Sequence, residues 1–234
     1  MYPHRIRLRG PWECEPVART GPGELPASRR MTLPCRWGDG GLHDFAGRVC
    51  FTRRFGYPGR IDDFERVWLI VAGVEDSASL ELNGAPIGSI SCKGGSFETD
   101  VTALLRERNQ LTVTVDGGVD GGLWGEVALE VRCLAFLRDI RVETVPGALQ
   151  IGGKVFGSAD RPLELYAVLG RRTTDYATVT PSLAGTTFRL SAELPAVANA
   201  DEPLLLKVDL VNGAMVWYTF EHVCDAALAE RPRN

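Results

Sequence analysis

Trp37, His43 and Asp44 fall within eight residues of one another, in a stretch from Ala18 to Gly47 that is rich in Gly, Pro, Arg and Asp. An aromatic face suits the C–H surface of a sugar ring, and planar polar side chains suit its hydroxyls. With Asn83, Lys93 and Asp116, these three residues make up the set whose chemistry could bind a carbohydrate. Each also has a plainer use: Trp37 as a core plug, Asn83 as a turn residue, Lys93 and Asp116 as solvated loop charges. Glu13 and Glu15 stand two apart on an alternating pattern, so their carboxylates share a face as an acid–base pair would. Arginines alternate around them, and ion pairing across a sheet is the expected use.

The sequence carries no motif for other chemistry. The six cysteines, Cys14, Cys35, Cys50, Cys92, Cys133 and Cys224, form no C-x-x-C pair and have no histidine at ligand spacing. Cys50 and Cys133 lie in strand-like runs, where a thiol packs as a small hydrophobe. His4, His43 and His222 are far apart. No G-x-S-x-G, H-E-x-x-H, Walker loop or strand-linked G-x-G-x-x-G occurs, so neither a metal nor a cofactor is expected. The N-terminus, MYPHRIRLRGPW, has no apolar h-region, and no apolar run is long enough for a membrane helix. Together with reduced cysteines this gives the expectation of a cytoplasmic protein. Of the net charge of −4, residues 1–60 contribute +6 (11 Arg, 5 acids) and the remainder −10 (15 basic, 25 acidic). The arginines are not interleaved with exposed aromatics, which argues for a solvated sheet face rather than nucleic-acid binding.

Strands must position these residues. In Arg66–Gly88, Val67, Leu69 and Val71 alternate with Trp68, Ile70 and Ala72, so both faces are apolar and a central strand is expected. Ala78, Leu80 and Leu82 alternate with Ser79, Glu81 and Asn83, a half-buried strand. Asn83-Gly84 then supplies a two-residue turn, because both tolerate positive φ. Arg48–Phe55 places Arg53 on one face with Phe51 and Phe55; a semi-buried arginine, stacked on aromatics and satisfied by a carboxylate, is expected. Asp100 or Thr102 should cap a short helical turn, and Leu111, Val113 and Val115 make another half-buried strand.

These stretches, with Phe97–Thr102, Asn109–Val113 and Leu123–Val131 (LWGEVALEV), resemble the N-terminal sugar-binding β-sandwich of glycoside hydrolase family 2. Phe51, Arg53 and Phe55 match its aromatic, arginine, aromatic pattern. Gly125 and Glu126 depart from it, standing where the family commonly has aromatic or basic residues. The resemblance implies a jelly-roll, galactose-binding-like sandwich over 1–135. After about Arg132–Asp139 the pattern resets. Ile140 and Val142, Leu149 and Ile151, Leu163–Leu169, Phe188–Leu194, Leu204–Leu210 and Val216–His222 read as strands, separated by Pro146-Gly147, Gly152-Gly153, Ala184-Gly185 and Asn212-Gly213. This is the pattern of an immunoglobulin-like sandwich over 136–234, without an intersheet disulfide. The fold class expected is therefore all-β.

In the resembled enzymes two glutamates of a (β/α)₈ barrel perform hydrolysis. The two sandwiches use up this sequence, a barrel needs roughly 250 residues, and the expectation is a protein that is not an enzyme. Three functions follow: a carbohydrate-binding protein with its site in the loops of the first domain; a structural or interaction protein, including a homodimer formed through strand edges; or an accessory subunit of a separate glycoside hydrolase chain.

Overall fold

The computed structural model describes residues 3–91, 95–194 and 204–224. The chain divides into two compact units, Arg5–Val131 and a second made of the described residues from Arg132 onward together with Pro3 and His4. The twelve strands described up to Cys133 are β1 (His4–Arg7), β2 (Trp12–Arg19), β3 (Arg29–Met31), β4 (Cys35–Arg36), β5 (Gly47–Gly56), β6 (Glu65–Val71), β7 (Ser77–Leu82), β8 (Ala85–Ile90), β9 (Phe97–Asp100), β10 (Arg108–Gly117), β11 (Gly122–Leu123) and β12 (Val127–Cys133). They form a six-stranded sheet in the order β3-β2-β5-β10-β7-β8 and a four-stranded sheet in the order β1-β12-β6-β9, while β11 pairs with β4.

Period-two alternation explains how the first unit fills its core. In the six-stranded sheet, Cys14 lies opposite Phe51, Phe51 opposite Val113 and Val113 opposite Leu80. All four are buried, as are Val67, Leu69 and Val71 of β6. Full burial of an apolar side chain of this size contributes about 1.5–3 kcal/mol. As expected, β6 is an interior strand of its sheet. The Asn83-Gly84 turn takes φ of 56° and 80°, the doubly positive geometry that two-residue hairpins require.

Two local expectations change. The short turn at Thr102–Leu104 is 3₁₀ and its first flanking residue, Val101, makes no side-chain cap. Instead the Thr102 N–H and hydroxyl both donate to Asp100 Oδ1 (2.9 and 2.6 Å), and Thr102 Oγ1 accepts from the Val67 N–H at 2.8 Å. The pair thus ties the turn to β6. Arg53 is half-buried as expected, but its Nη1 donates to the Pro11 carbonyl at 2.8 Å rather than to a carboxylate. Gly125 lies between β11 and β12, and a Cβ there would stand 2.0 Å from the Gly73 nitrogen. The backbones are that close because the Gly125 N–H donates to the Gly73 carbonyl at 2.9 Å, so the departure from the family pattern serves a contact that only glycine permits.

The second unit contains β13 (Ala135–Val145), β14 (Ala148–Gly157), β15 (Leu163–Leu169), β16 (Arg172–Val179), β17 (Thr186–Glu193), β18 (Leu204–Asn212) and β19 (Met215–Cys224). They make a three-stranded sheet, β13-β14-β17, and a four-stranded one, β16-β15-β18-β19. Every pairing between neighbouring strands is antiparallel. Leu149, Ile151, Leu190, Leu165, Val208 and Trp217 are buried among its core residues. Cys133 and Cys224 are free thiols.

Gly152-Gly153, read as a turn, lies inside β14. Gly153 faces Phe188, whose ring a Cβ would meet at 2.8 Å, and the opposing strand is irregular between Arg138 and Arg141. Gly153 admits a neighbouring ring, and neither glycine reverses the chain. Strand β16, RTTDYATV, was not among the expected strands, because it is polar and Val179 is its only buried residue.

Candidate functional site

The β5/β10 pair organises both ends of the first sandwich. Its register runs from Arg108 opposite Gly56 to Gly117 opposite Gly47. The ten residues of β10 therefore separate its ends by about 30 Å, at roughly 3.3 Å per residue.

At the Gly47/Gly117 end, Asp116 lies directly opposite Arg48. Arg48 Nε donates to Asp116 Oδ1 at 2.8 Å and Nη2 to Oδ2 at 3.2 Å, a two-point pairing of a planar fork with a carboxylate. The hydrogen bond to Asp116 raises the arginine pKa. An open depression of about 540 Å³ lies here, with Thr20, Arg48, Asp76, Asp116, Gly117 and Gly118 among its lining residues.

Asp44 belongs to the same end. It takes a left-handed φ of 53°, and its carbonyl accepts from Arg19 Nη2 at 3.1 Å. Arg19 Nε also donates to the Pro22 carbonyl at 3.0 Å, and its guanidinium lies 5.7 Å from the Phe45 ring centre. Arg19 therefore holds two loops, a role that its place in an alternating strand did not signal. His43 is exposed.

Trp37 takes the plainer of its two readings. It is fully buried, set edge-on to Phe45 with ring centres 5.2 Å apart, and it offers no face to a sugar. It supports the loop between β10 and β11 from below: a Cβ on Gly121 would stand 2.6 Å from Cζ3 of the indole, and one on Gly117 3.1 Å from Cη2. Arg36 fixes the same loop, its Nη1 donating to the Asp120 carbonyl at 2.9 Å and to Glu75 Oε2 at 3.4 Å.

Asn83 lies at the opposite end of β10, where the Gln110 N–H donates to its Oδ1 at 2.9 Å. Its own Nδ2 donates to the Leu104 carbonyl at 2.8 Å and to Asn109 Oδ1 at 3.0 Å. Asn83 is thus a turn residue and cannot join a site with Asp116. Lys93 lies outside the described residues. Of the six residues expected to bind sugar, His43, Asp44 and Asp116 share an end, with Trp37 beneath them.

Glu13 pairs with Arg54 at 3.0 Å across the exposed sheet face, as expected for a carboxylate flanked by arginines. Among the described residues there is no (β/α)₈ barrel, only strands and one 3₁₀ turn.

No protein-family model matches the chain, and no curated protein matches it. Solved structures do. A β-glucuronidase of Bifidobacterium dentium complexed with coumarin-3-O-glucuronide superposes with a TM-score of 0.72 at 18% identity, covering 95% of this chain and 49% of the other. The chain has the fold of part of a glycoside hydrolase. A putative β-galactosidase of Bacteroides fragilis gives 0.70 at 15% identity, covering 95% and 41% of the two chains. A glycosyl hydrolase family 2 member of Bacteroides cellulosilyticus gives 0.70 at 13%, covering 94% and 35%. The chain spans between a third and a half of these glycoside hydrolases, and at such identities it is the fold that is shared. The family 2 resemblance of the strands around Phe51 and Leu80 holds at that level.

Proposed function

We propose that the chain is a non-catalytic carbohydrate-binding protein whose site is the depression at the Gly47/Gly117 end. The observation that carries this reading is the Arg48–Asp116 pair set in an open concavity beside Asp76 and Thr20. Sugar hydroxyls both donate and accept, and a fixed carboxylate beside a fixed guanidinium answers both needs. The exposed His43, next to Asp44, supplies a flat side chain in the loop that leads to Gly47. The family 2 fold over 95% of the chain supports a role in glycan handling. Glu13, exposed and ion-paired with Arg54 at 3.0 Å, serves the sheet face rather than a reaction.

A glycan array followed by calorimetry tests this. Binding should fall about tenfold in Asp116→Ala and in His43→Ala, the size of losing one charge-assisted hydrogen bond. Unchanged affinity in both variants would remove the site from this end.

A second reading, self-association, is favoured by β19. Among the described residues this ten-residue strand ends its sheet and exposes Met215, Val216 and Val223. Long apolar edges pair readily with another strand. Light scattering that reports a monomer at 100 µM or so would dismiss it.

A further inference from the structure

The end of the first sandwich opposite to the proposed sugar site holds a second concavity, of about 810 Å³, lined by Arg54, Phe55, Asn83, Arg106, Arg108 and Gln110 among others. Its charges are unbalanced. Arg54 pairs with Glu13 at 3.0 Å, whereas the side chains of Arg106 and Arg108 make no ion pair or hydrogen bond among the described residues. Glu107 also lines the concavity and leaves it net positive.

The segment that presents these two guanidiniums is held rigidly. Asn109, only 1% exposed, accepts from the Arg106 N–H at 2.8 Å and donates to the Arg106 carbonyl at 2.7 Å. Asn83 joins Asn109 to the Leu104 carbonyl, and the Tyr57 N–H donates to the Glu107 carbonyl at 3.1 Å. The backbone that carries the charges is therefore ordered before any ligand arrives, which removes much of the entropic cost of binding.

We propose that this concavity binds a saccharide that carries a carboxylate or sulfate group. Arg106 and Arg108 take the anionic oxygens through their guanidinium forks, the half-buried Phe55 ring meets the sugar's C–H face, and the Gln110 amide meets a hydroxyl. The volume fits a ligand of several rings and is far larger than a free inorganic anion needs. The chain's net charge of −4 disfavours long polyanions such as nucleic acid, while a local cluster of arginines suits a short ligand with few charges. This site stands independently of the one at the Gly47/Gly117 end.

The test is calorimetry at 50 and 300 mM NaCl with three probes: a tetragalacturonate tetrasaccharide, neutral cellotetraose and sodium sulfate. Saturable binding of the first is expected, weakened by salt, with at least tenfold weaker binding of the other two. Arg106→Gln/Arg108→Gln should reduce it by about a hundredfold, at roughly tenfold for each guanidinium. Arg171→Gln/Arg172→Gln removes the same charge from exposed positions in the second unit and should leave binding unchanged. Thermal midpoints of both double variants check that they fold. Equal binding of sodium sulfate, equal loss in the two double variants, or no saturable binding of the tetrasaccharide would each overturn the proposal.

Discussion

Asn83 and Asn109 hold one another across the end of the first sandwich, Asn83 Nδ2 donating to Asn109 Oδ1 at 3.0 Å. The same Asn109 oxygen accepts the Arg106 N–H, and Asn83 Oδ1 accepts the Gln110 N–H. Two side-chain amides thus satisfy backbone groups that a turn and a loop would otherwise leave bare.

Asn109→Ala should therefore destabilise the protein by about 1–3 kcal/mol, the cost of leaving buried polar partners unmet. Urea unfolding followed by intrinsic fluorescence measures it. A midpoint equal to that of the unchanged protein would mean that water replaces the amide without penalty.

Gly121→Ala should destabilise by a similar amount, about 1–3 kcal/mol for forcing an atom into a packed site. The added Cβ would stand 2.6 Å from the buried Trp37 ring. Trp37→Phe has its own cost, but in a double-mutant cycle it should relieve part of the Gly121→Ala penalty. Strict additivity of the two would refute the contact.

Asp116→Asn keeps the shape of the side chain and removes the ion pair with Arg48. Both partners are about half exposed, so the thermal midpoint should stay put while glycan affinity at that end drops. A large fall in midpoint would instead make the pair part of the scaffold.

Burial pushes the Cys14 thiol from 9.0 up to about 12; the smaller influences are Arg29, which lowers it, and Cys35 and Cys50, which raise it. Between these values the unfolded chain has lost a proton that the folded chain keeps. Stability from this group is thus complete below pH 9 and declines as pH rises from 9 towards 12, with a slope of about 1.4 kcal/mol per pH unit. Chemical denaturation at pH 8 to 10.5 should show a shallower decline in Cys14→Ala than in the unchanged protein. Identical slopes would mean that Cys14 titrates alike in both states.

Alternation made much of the fold legible: β6, β7 and the Asn83-Gly84 turn follow from residues whose types permit little else. The rest depended on distant neighbours. Trp37 lies among Gly, Asp and Arg, as a loop aromatic would, and only its packing beneath Gly117 and Gly121 shows it to be core. Gly152-Gly153 has the sequence of a turn, but it lies within β14 and Phe188 needs the space at Gly153. Polar β16 carries no hydrophobic pattern, yet it pairs along β15 from Leu163 to Leu169. Asn83 and Asp116 looked equivalent as polar loop residues; the register of β10 sends them to opposite ends.

Strand β10 is paired on both sides, with β5 and with β7, and so has little freedom to bend or shorten. It fixes the distance between the two concavities. A glycan that engages both must cross about 30 Å, ten residues of strand, so a long chain gains from simultaneous attachment. A short oligosaccharide can hold only one end at a time. If both proposed sites bind glycan, the length of that strand sorts ligands by size, a property that neither pocket has alone.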